Sequence, residues 1–341
     1  MKSGAKILVL RLSSIGDILL TTPYIRQIKN TFNDAIIYYI VKKEFADILK
    51  YNPNIDHLIE LNTSKNYNGL AEINKELKKH NFDYIFDLHN NMRTKLLLAG
   101  LPKRKITKIK KNKLKRALLV YSKINLFKTI NTIPEKYRTT GLSAGIPDDN
   151  QGLELYFPES FEQKITNLLN ENRLLDSKYM CLAPGAAHYT KMWPNENYDL
   201  IIKRLKERTN FKMVILGSPN EQEQFDRFKS DDRVVNFTGK LSILESAGVV
   251  AHSKGVLCND SGMMHVAAAV NKPLVVTFGS TVEELGFFPY KADSTVLEIK
   301  DLWCRPCSHV GRSSCPLGHF KCMTNISVDH VFEAINTNIL N

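Results

Sequence analysis

"LRLSSIGDILLTTP", residues 10–23, runs from an apolar stretch through a polar turn and back into an apolar one. That is the pattern of the first strand, turn and helix of a nucleotide-binding α/β fold. The turn holds one glycine, Gly16, where such folds usually place two or three, and no Gly-x-Gly occurs anywhere in the chain. The dinucleotide fingerprint and the Walker loop are therefore absent, which disfavours an NAD(P) enzyme. Asp17 stands in the glycines' place. Its local reading is electrostatic: a carboxylate in the first helical turn gains ~0.3–1 kcal/mol from the macrodipole, with Ser13 or Ser14 as N-cap. That explains an acidic residue but gives it no reason to point at a ligand.

Working outward, strand-like runs alternate with helix-period runs. "KILVLRL", "AIIYYIV", "HLIEL" and "YIFDLH" occupy the first half, separated by helical patterns such as "YNGLAEINKELKKH". "GIPDDNQGLELYFPES", residues 145–160, interrupts with Pro, Gly and Asp, and the alternation restarts at "YMCLAPG". It continues through "KMVILGS", "VVNFTG", "GVLCND" and "PLVVTFG", with helices over 195–209, 219–229, 242–253 and 261–270 and a closing helix over 328–340. The expectation is α/β: two Rossmann-like domains, 1–155 and 156–341, facing across a cleft, with ligands beyond the carboxyl ends of the strands.

A chain of 341 residues suits two such cores. Its apolar runs are too short to span a bilayer. Arg11 interrupts the first of them and no small-residue cleavage site follows, so the N-terminus does not read as a signal peptide. The expected setting is cytoplasmic, or peripheral at a membrane surface. Net charge is +12, and residues 1–150 hold 27 Lys+Arg against 13 Asp+Glu. Nine of those cations fall in "KRKITKIKKNKLKR", residues 103–116. The run is either a solvated lysine-rich face or a surface for something anionic. Nucleic acid is the weakest such partner, since no recognition module and no interleaved aromatics accompany the run.

Three strand ends in the second half carry further candidates. "PGAAHYTKMWP", residues 184–194, puts Lys191 just before a helix start. A cation there opposes the dipole, and a phosphate between Lys191 and the helix end would offset that cost. "GSPNEQE", residues 217–223, offers Glu221, or Glu223 one register on, to ribose hydroxyls. The alternative is an ordinary first-turn acid. "NDSGMMH", residues 259–265, supplies capping residues Asp260 and Ser261, close backbone approach at Gly262, and His265 one turn on from Ser261. It reads equally as an anion site or as a plain cap with a half-buried histidine. No Asp-x-Asp is present to clamp a metal-bound diphosphate, so lysine and helix dipoles would have to neutralise one.

Cys181 and Cys258 lie in strand-like runs as small core residues. Cys304, Cys307, Cys315 and Cys322 fall within nineteen residues, with His309 and His319 between them. They read as reduced thiols in a packed loop or as a four-thiolate structural metal site. A reducing cytosol argues against disulfides.

"RLSSIGDILLTTP", "PGAAHYTKMWP", "GSPNE" and "NDSGMMHVAAA", in this order and spacing, resemble the ADP-heptose:lipopolysaccharide heptosyltransferases, glycosyltransferase family 9. The closing run "CRPCSHVGRSSCPLGHFKCM" looks most like the heptosyltransferase II branch. The resemblance implies a GT-B fold, with the acceptor on the first domain and the nucleotide-sugar on the second. It implies inverting heptose transfer from ADP-heptose to the inner core of lipopolysaccharide, without a required cofactor or metal, at the cytoplasmic face of the inner membrane. By the same resemblance Asp17 is the general base, Lys191 a diphosphate contact and Glu221 a ribose contact. Asp260, Ser261, Gly262 and His265 surround the donor phosphates and sugar. "DLHNNMRTK", residues 87–95, matches an acceptor-side segment and nominates Arg93. The rivals are a family member using another nucleotide-sugar and a non-catalytic membrane-surface binding protein on this scaffold.

Overall fold

The computed structural model describes residues 4–225, 228 and 231–340. The chain divides into two compact units, residues 1–111 with 133–156 and residues 112–132 with 157–341.

In the first unit, β1 (Lys6–Leu10), β2 (Ile36–Lys42), β3 (His57–Leu61), β4 (Tyr84–Asp87) and β5 (Ile106–Lys108) form a parallel sheet in the order β3-β2-β1-β4-β5. Residues 7–10 of β1 are fully buried, as a central strand covered on both faces requires. Leu8 and Leu10 pack in one cluster with Leu77 and Leu97. On the other face Tyr24 meets Phe86 edge-on, with ring centroids 5.5 Å apart. The winding reverses between β1 and β4, and ligands of such sheets bind at that switch point.

The quoted stretch leaves β1 into two helices, Ile15–Leu19 and Thr22–Thr31. Pro23 is the cause of the break. It has no N–H to donate to the Leu19 carbonyl one turn back, and the Thr22 hydroxyl donates there instead at 2.8 Å.

In the second unit, β6 (Tyr179–Ala183), β7 (Lys212–Ile215), β8 (Val234–Asn236), β9 (Val256–Asn259), β10 (Leu274–Phe278) and β11 (Ser294–Glu298) form a parallel sheet in the order β11-β10-β9-β6-β7-β8. Here the winding reverses between β6 and β9. Leu182, Leu257 and Val275 pack with Ile201 and Leu205 in one core. Trp193 is wholly buried in it, its indole N–H donating to the Ile326 carbonyl at 2.9 Å.

The structure departs from the periodicity in four places. β5 lies inside the basic run, where lysines hide the apolar alternation. β11 is a half-buried edge strand with no fully buried residue to announce it. The helix expected over 219–229 is a 3-10 turn, Pro219–Glu221, leading into Gln222–Phe225; several positions beyond that lie outside the described residues. The closing helix is α-helical over Val328–Ile335 and widens into a π turn over Asn336–Leu340.

Residues 112–132 group with the second unit. The positive excess is consequently shared: the first unit holds 22 Lys+Arg against 14 Asp+Glu, the second 25 against 21. No helix among the described residues is long and apolar enough to cross a membrane.

Candidate functional site

Asp17 stands at the carboxyl end of β1, on the third position of the helix Ile15–Leu19. Ser14 is the N-cap residue, and its N–H and hydroxyl both donate to Asp17 Oδ2, at 3.4 and 3.1 Å. Asp17 thus starts the helix as local physics requires. Its other oxygen is engaged from a different direction, because Oδ1 meets the Arg11 guanidinium at 2.7 Å. Arg11 is itself fixed by bonds to the Ser13 and Leu88 carbonyls, both 2.9 Å. Burial pushes the Asp17 pKa up, but the Arg11 charge and the Ser14 and Arg11 hydrogen bonds outweigh it and hold the carboxyl below its ordinary value. The result is a carboxylate that is ionised and oriented, with its side chain still 20% exposed.

The neighbouring switch-point strand contributes His89. Leu12 N–H donates to His89 Nδ1 at 3.4 Å. An acceptor Nδ1 places the proton of the neutral ring on Nε2. Burial lowers its pKa, with help from the Arg11 and Lys111 charges, to about 3. Arg93 lies one helix turn further, in Met92–Leu97, a helix capped by Asn91 and tied to β4 through the Thr94 hydroxyl on Asp87 at 2.9 Å. Arg93 is exposed, with no ion-pair partner among the described residues.

In the second unit Lys191 closes the 3-10 turn Tyr189–Lys191 after β6, and Asp260 follows β9. Lys191 Nζ lies 2.7 Å from Asp260 Oδ2, with both side chains largely buried. The offsetting charge beside Lys191 is therefore Asp260, where the sequence suggests a phosphate at the following helix end. That helix begins at Asn195, with Pro194 as its cap residue. The Thr281 hydroxyl donates to the same Oδ2 at 2.7 Å. Asn259, just before Asp260, accepts from Trp193 N–H at 3.1 Å and the Thr277 hydroxyl at 2.7 Å, and donates to the Pro184 carbonyl. This side chain stitches the ends of β6, β9 and β10 together.

Ser261 is the N-cap residue of the helix Gly262–Ala269, and its Oγ is buried without a hydrogen-bond partner among the described residues. His265 is buried one turn along the same helix face. Glu221 closes a capping box: Ser218 N–H and Oγ donate to Oε2 at 2.6 and 2.9 Å. The carboxylate folds back over the end of β6, so that a Cβ built on Gly185 would lie 1.7 Å from Glu221 Oε1. Glu223, the alternative ribose candidate, is exposed on the next helix.

Lys191, Glu221, Asp260, Ser261, Gly262 and His265 thus converge on the carboxyl ends of β6, β7 and β9, around the switch point. Arg11, His89, Asn259 and Thr281 were not singled out from the sequence. Of these, Arg11 left a signal there, as a cation inside the apolar run "KILVLRL".

Cys304 Sγ lies 3.8 Å from His319 Nε2. Burial pushes the Cys322 thiol up to about 11. Among the described residues no group of three or more His, Cys, Asp or Glu is arranged to hold a metal ion.

Residues 70–317 match the model of glycosyltransferase family 9 (heptosyltransferase). The chain belongs to this family. The donor-side candidates Lys191 to His265 fall inside the matched range of this family 9 protein, and Asp17 precedes it. It is 25% identical over 278 residues to lipopolysaccharide heptosyltransferase 3 of Escherichia coli (strain K12), covering 78% of this chain and 80% of that one. A family 9 glycosyltransferase structure from Veillonella parvula superposes with a TM-score of 0.83 at 23% identity, over 100% of this chain and 98% of that one. The structure of E. coli ADP-heptose LPS heptosyltransferase II gives 0.73 at 21% identity, over 98% of each. The fold is accordingly the α/β GT-B fold with two Rossmann-like units.

Proposed function

We propose that this family 9 glycosyltransferase is an inverting, metal-independent heptosyltransferase of the heptosyltransferase II kind. It takes heptose from ADP-heptose and places it on the inner core of lipopolysaccharide, at the cytoplasmic face of the inner membrane. The observation that carries this reading is the Lys191–Asp260 pair beside the unpartnered Ser261 hydroxyl and the start of the helix Gly262–Ala269. An ammonium carries three donors and Asp260 takes one, so the others can meet diphosphate oxygens. The Ser261 hydroxyl and the first helical N–H groups supply further donors.

In the reaction the acceptor hydroxyl oxygen bonds to the heptose anomeric carbon from the face opposite ADP. The anomeric carbon–phosphate oxygen bond breaks with its electron pair going to ADP, and the hydroxyl proton passes to Asp17. A carboxylate of lowered pKa takes that proton only as the hydroxyl acidifies in the transition state. The charge growing on ADP is met by Lys191 and the helix N-terminus, donors already in place. Glu221 contacts the ribose, His265 lies by the donor sugar, and Arg93 contacts a phosphate or carboxylate of the acceptor.

The reading is tested by thermal shift with ADP, UDP and GDP, each with and without chelator, followed by a transfer assay with ADP-heptose. ADP at a hundred times its Kd stabilises the fold by about 2.7 kcal/mol. Selective stabilisation by ADP that survives chelation, and is lost in Lys191→Met, is the expected result. Preference for UDP or GDP overturns the heptose donor in favour of another nucleotide-sugar. An Asp17→Ala variant with full transfer overturns Asp17 as base.

A further inference from the structure

Residues 112–132 leave the first unit in sequence, group with the second, and return at residue 133. The segment carries Lys113, Lys115, Arg116, Lys123 and Lys128 and not one Asp or Glu. Its helix Lys113–Ala117 continues into the π turn Leu118–Ser122. Leu119 and Val120 are buried as its foot, while Leu114 (73%) and Tyr121 (74%) are exposed. Ile124, Leu126 and Ile130 are also exposed.

The segment is held to the second unit by polar contacts. Lys123 Nζ donates to the Val120, Cys304 and Pro306 carbonyls at 2.8, 3.0 and 2.7 Å. Asn125 donates to Glu284 at 2.9 Å. The Lys123 bonds set the strap against the loop that holds Trp303, itself 73% exposed. Large apolar side chains left outward among cations, while Leu119 and Val120 are buried beside the polar attachments, are a costly arrangement in water. It is the composition of an interfacial anchor, where apolar and aromatic groups enter the headgroup boundary and lysines meet anionic lipid.

We propose that residues 112–132, together with Trp303, form the surface through which this protein docks on an anionic lipid bilayer. The inference rests on the reading of a lipid-linked acceptor and assigns it a docking surface. Charge complementarity selects the occupant: Lys113, Lys115 and Lys128 are exposed on a segment that contains no Asp or Glu, and they favour an anionic leaflet over a protein surface of mixed charge.

The test is co-sedimentation of the whole protein with phosphatidylglycerol-containing vesicles and with phosphatidylcholine vesicles, in graded salt. Tryptophan emission is read alongside it. Trp193 is wholly buried and Trp303 is exposed, so a blue shift on binding reports Trp303 and is absent in Trp303→Phe. Binding to anionic vesicles only, with a blue shift, is the expected result. Each of Lys113, Lys115 and Lys128 changed to Gln is expected to weaken it about fivefold. The triple variant Tyr121→Ser, Ile124→Ser, Leu126→Ser is expected to lose the salt-resistant part while keeping the wild-type Tm.

Binding that inorganic phosphate abolishes, without a blue shift, overturns the proposal in favour of a free-phosphate site. Wild-type binding by both sets of variants overturns it in favour of another surface, and no vesicle binding at all overturns it outright. Neither donor nor acceptor is present, so these failures leave the transferase reading standing. A chain that binds vesicles but transfers nothing fails that reading alone.

Discussion

The Arg11 guanidinium meets Asp17 Oδ1 at 2.7 Å while Ser14 occupies Oδ2. One carboxylate therefore serves as helix-start residue and as an ion-paired group at the carboxyl end of β1. The helix-start contacts use Oδ2 and the ion pair uses Oδ1. Asp17→Asn keeps a side chain of the same shape but removes the ionised carboxylate that the proposed mechanism uses as base. Transfer is expected to fall by about 10²–10⁴-fold, with ADP affinity unchanged within twofold by calorimetry. A loss of ADP affinity equal to the loss of rate would make Asp17 a donor contact.

If Asp17 is the base, Arg11 is expected to set the acid limb of the pH–rate profile. Its charge and hydrogen bond lower the Asp17 pKa, whereas burial raises it. Removing the guanidinium in Arg11→Met takes away two of the influences that lower the pKa, so it rises and the carboxylate is protonated at a higher pH. The acid limb of kcat against pH should move upward from its wild-type position, with a smaller change near neutrality. An acid limb that stays in place would show that another group controls it.

His89 makes a stability prediction whose sign follows from burial. Its folded pKa lies at about 3, below the unfolded value of about 6.5. Between those values the unfolded chain binds the extra proton, so stability is full above the unfolded pKa and declines as pH falls through that window. His89→Gln keeps an acceptor for the Leu12 N–H without the titration. Denaturant unfolding at pH 7 and pH 5 should show a larger drop for the wild type than for this variant. Equal drops would place the acid sensitivity elsewhere.

The alternation of strand and helix was legible because the central strands are buried along Ile7–Leu10 and Tyr179–Ala183 and read there as unbroken apolar runs. β5 was not, since its three residues lie in a lysine-rich run, and β11 was not, since an edge strand needs no fully buried face. The candidate residues were legible where strand ends carry them in short motifs. Their partners were not. Arg11 and His89 are brought together by the pairing of β1 with β4, and Asp260 meets Lys191 through the pairing of β9 with β6. Such contacts join positions 69 to 78 residues apart in sequence, and no local period encodes them. The attachment of residues 112–132 to the second unit depends on Lys123 reaching carbonyls at 304 and 306, which no single-residue property announces.

Gly185 keeps the space that Glu221 occupies. A Cβ there would overlap Glu221 Oε1, but the clash is with the end of a flexible side chain. Gly185→Ala should therefore fold, displacing the carboxylate from the end of β6, with a stability change within about 1 kcal/mol. If Glu221 contacts the ribose, KM for the donor rises about tenfold while kcat changes little, the mark of a uniform-binding contact. Glu221→Ala should give the same KM, and the double variant no more than either alone. A Gly185→Ala enzyme with wild-type KM would remove Glu221 from the donor site and return Glu223 to consideration.

Arg305 holds the loop of residues 279–281, which reaches Asp260 through Thr281. Its buried guanidinium donates to the carbonyls of Gly279, Ile299 and Thr281 and to Glu298 at 2.7 Å. Thr281 in turn donates to Asp260, the partner of Lys191. Arg305→Leu leaves Glu298 as a buried charge without its cation and three carbonyls without a donor. Breaking such a pair from one side costs about 3–5 kcal/mol, so the expected result is a large fall in the denaturation midpoint. Arg305→Lys retains the charge but offers three donors in place of five, and should lie between the two. The intermediate variant separates the effects: if the loop of residues 279–281 positions Asp260, folded Arg305→Lys binds ADP more weakly than wild type at equal temperature. Wild-type ADP affinity in that variant would confine Arg305 to stability and detach it from the Lys191 pair.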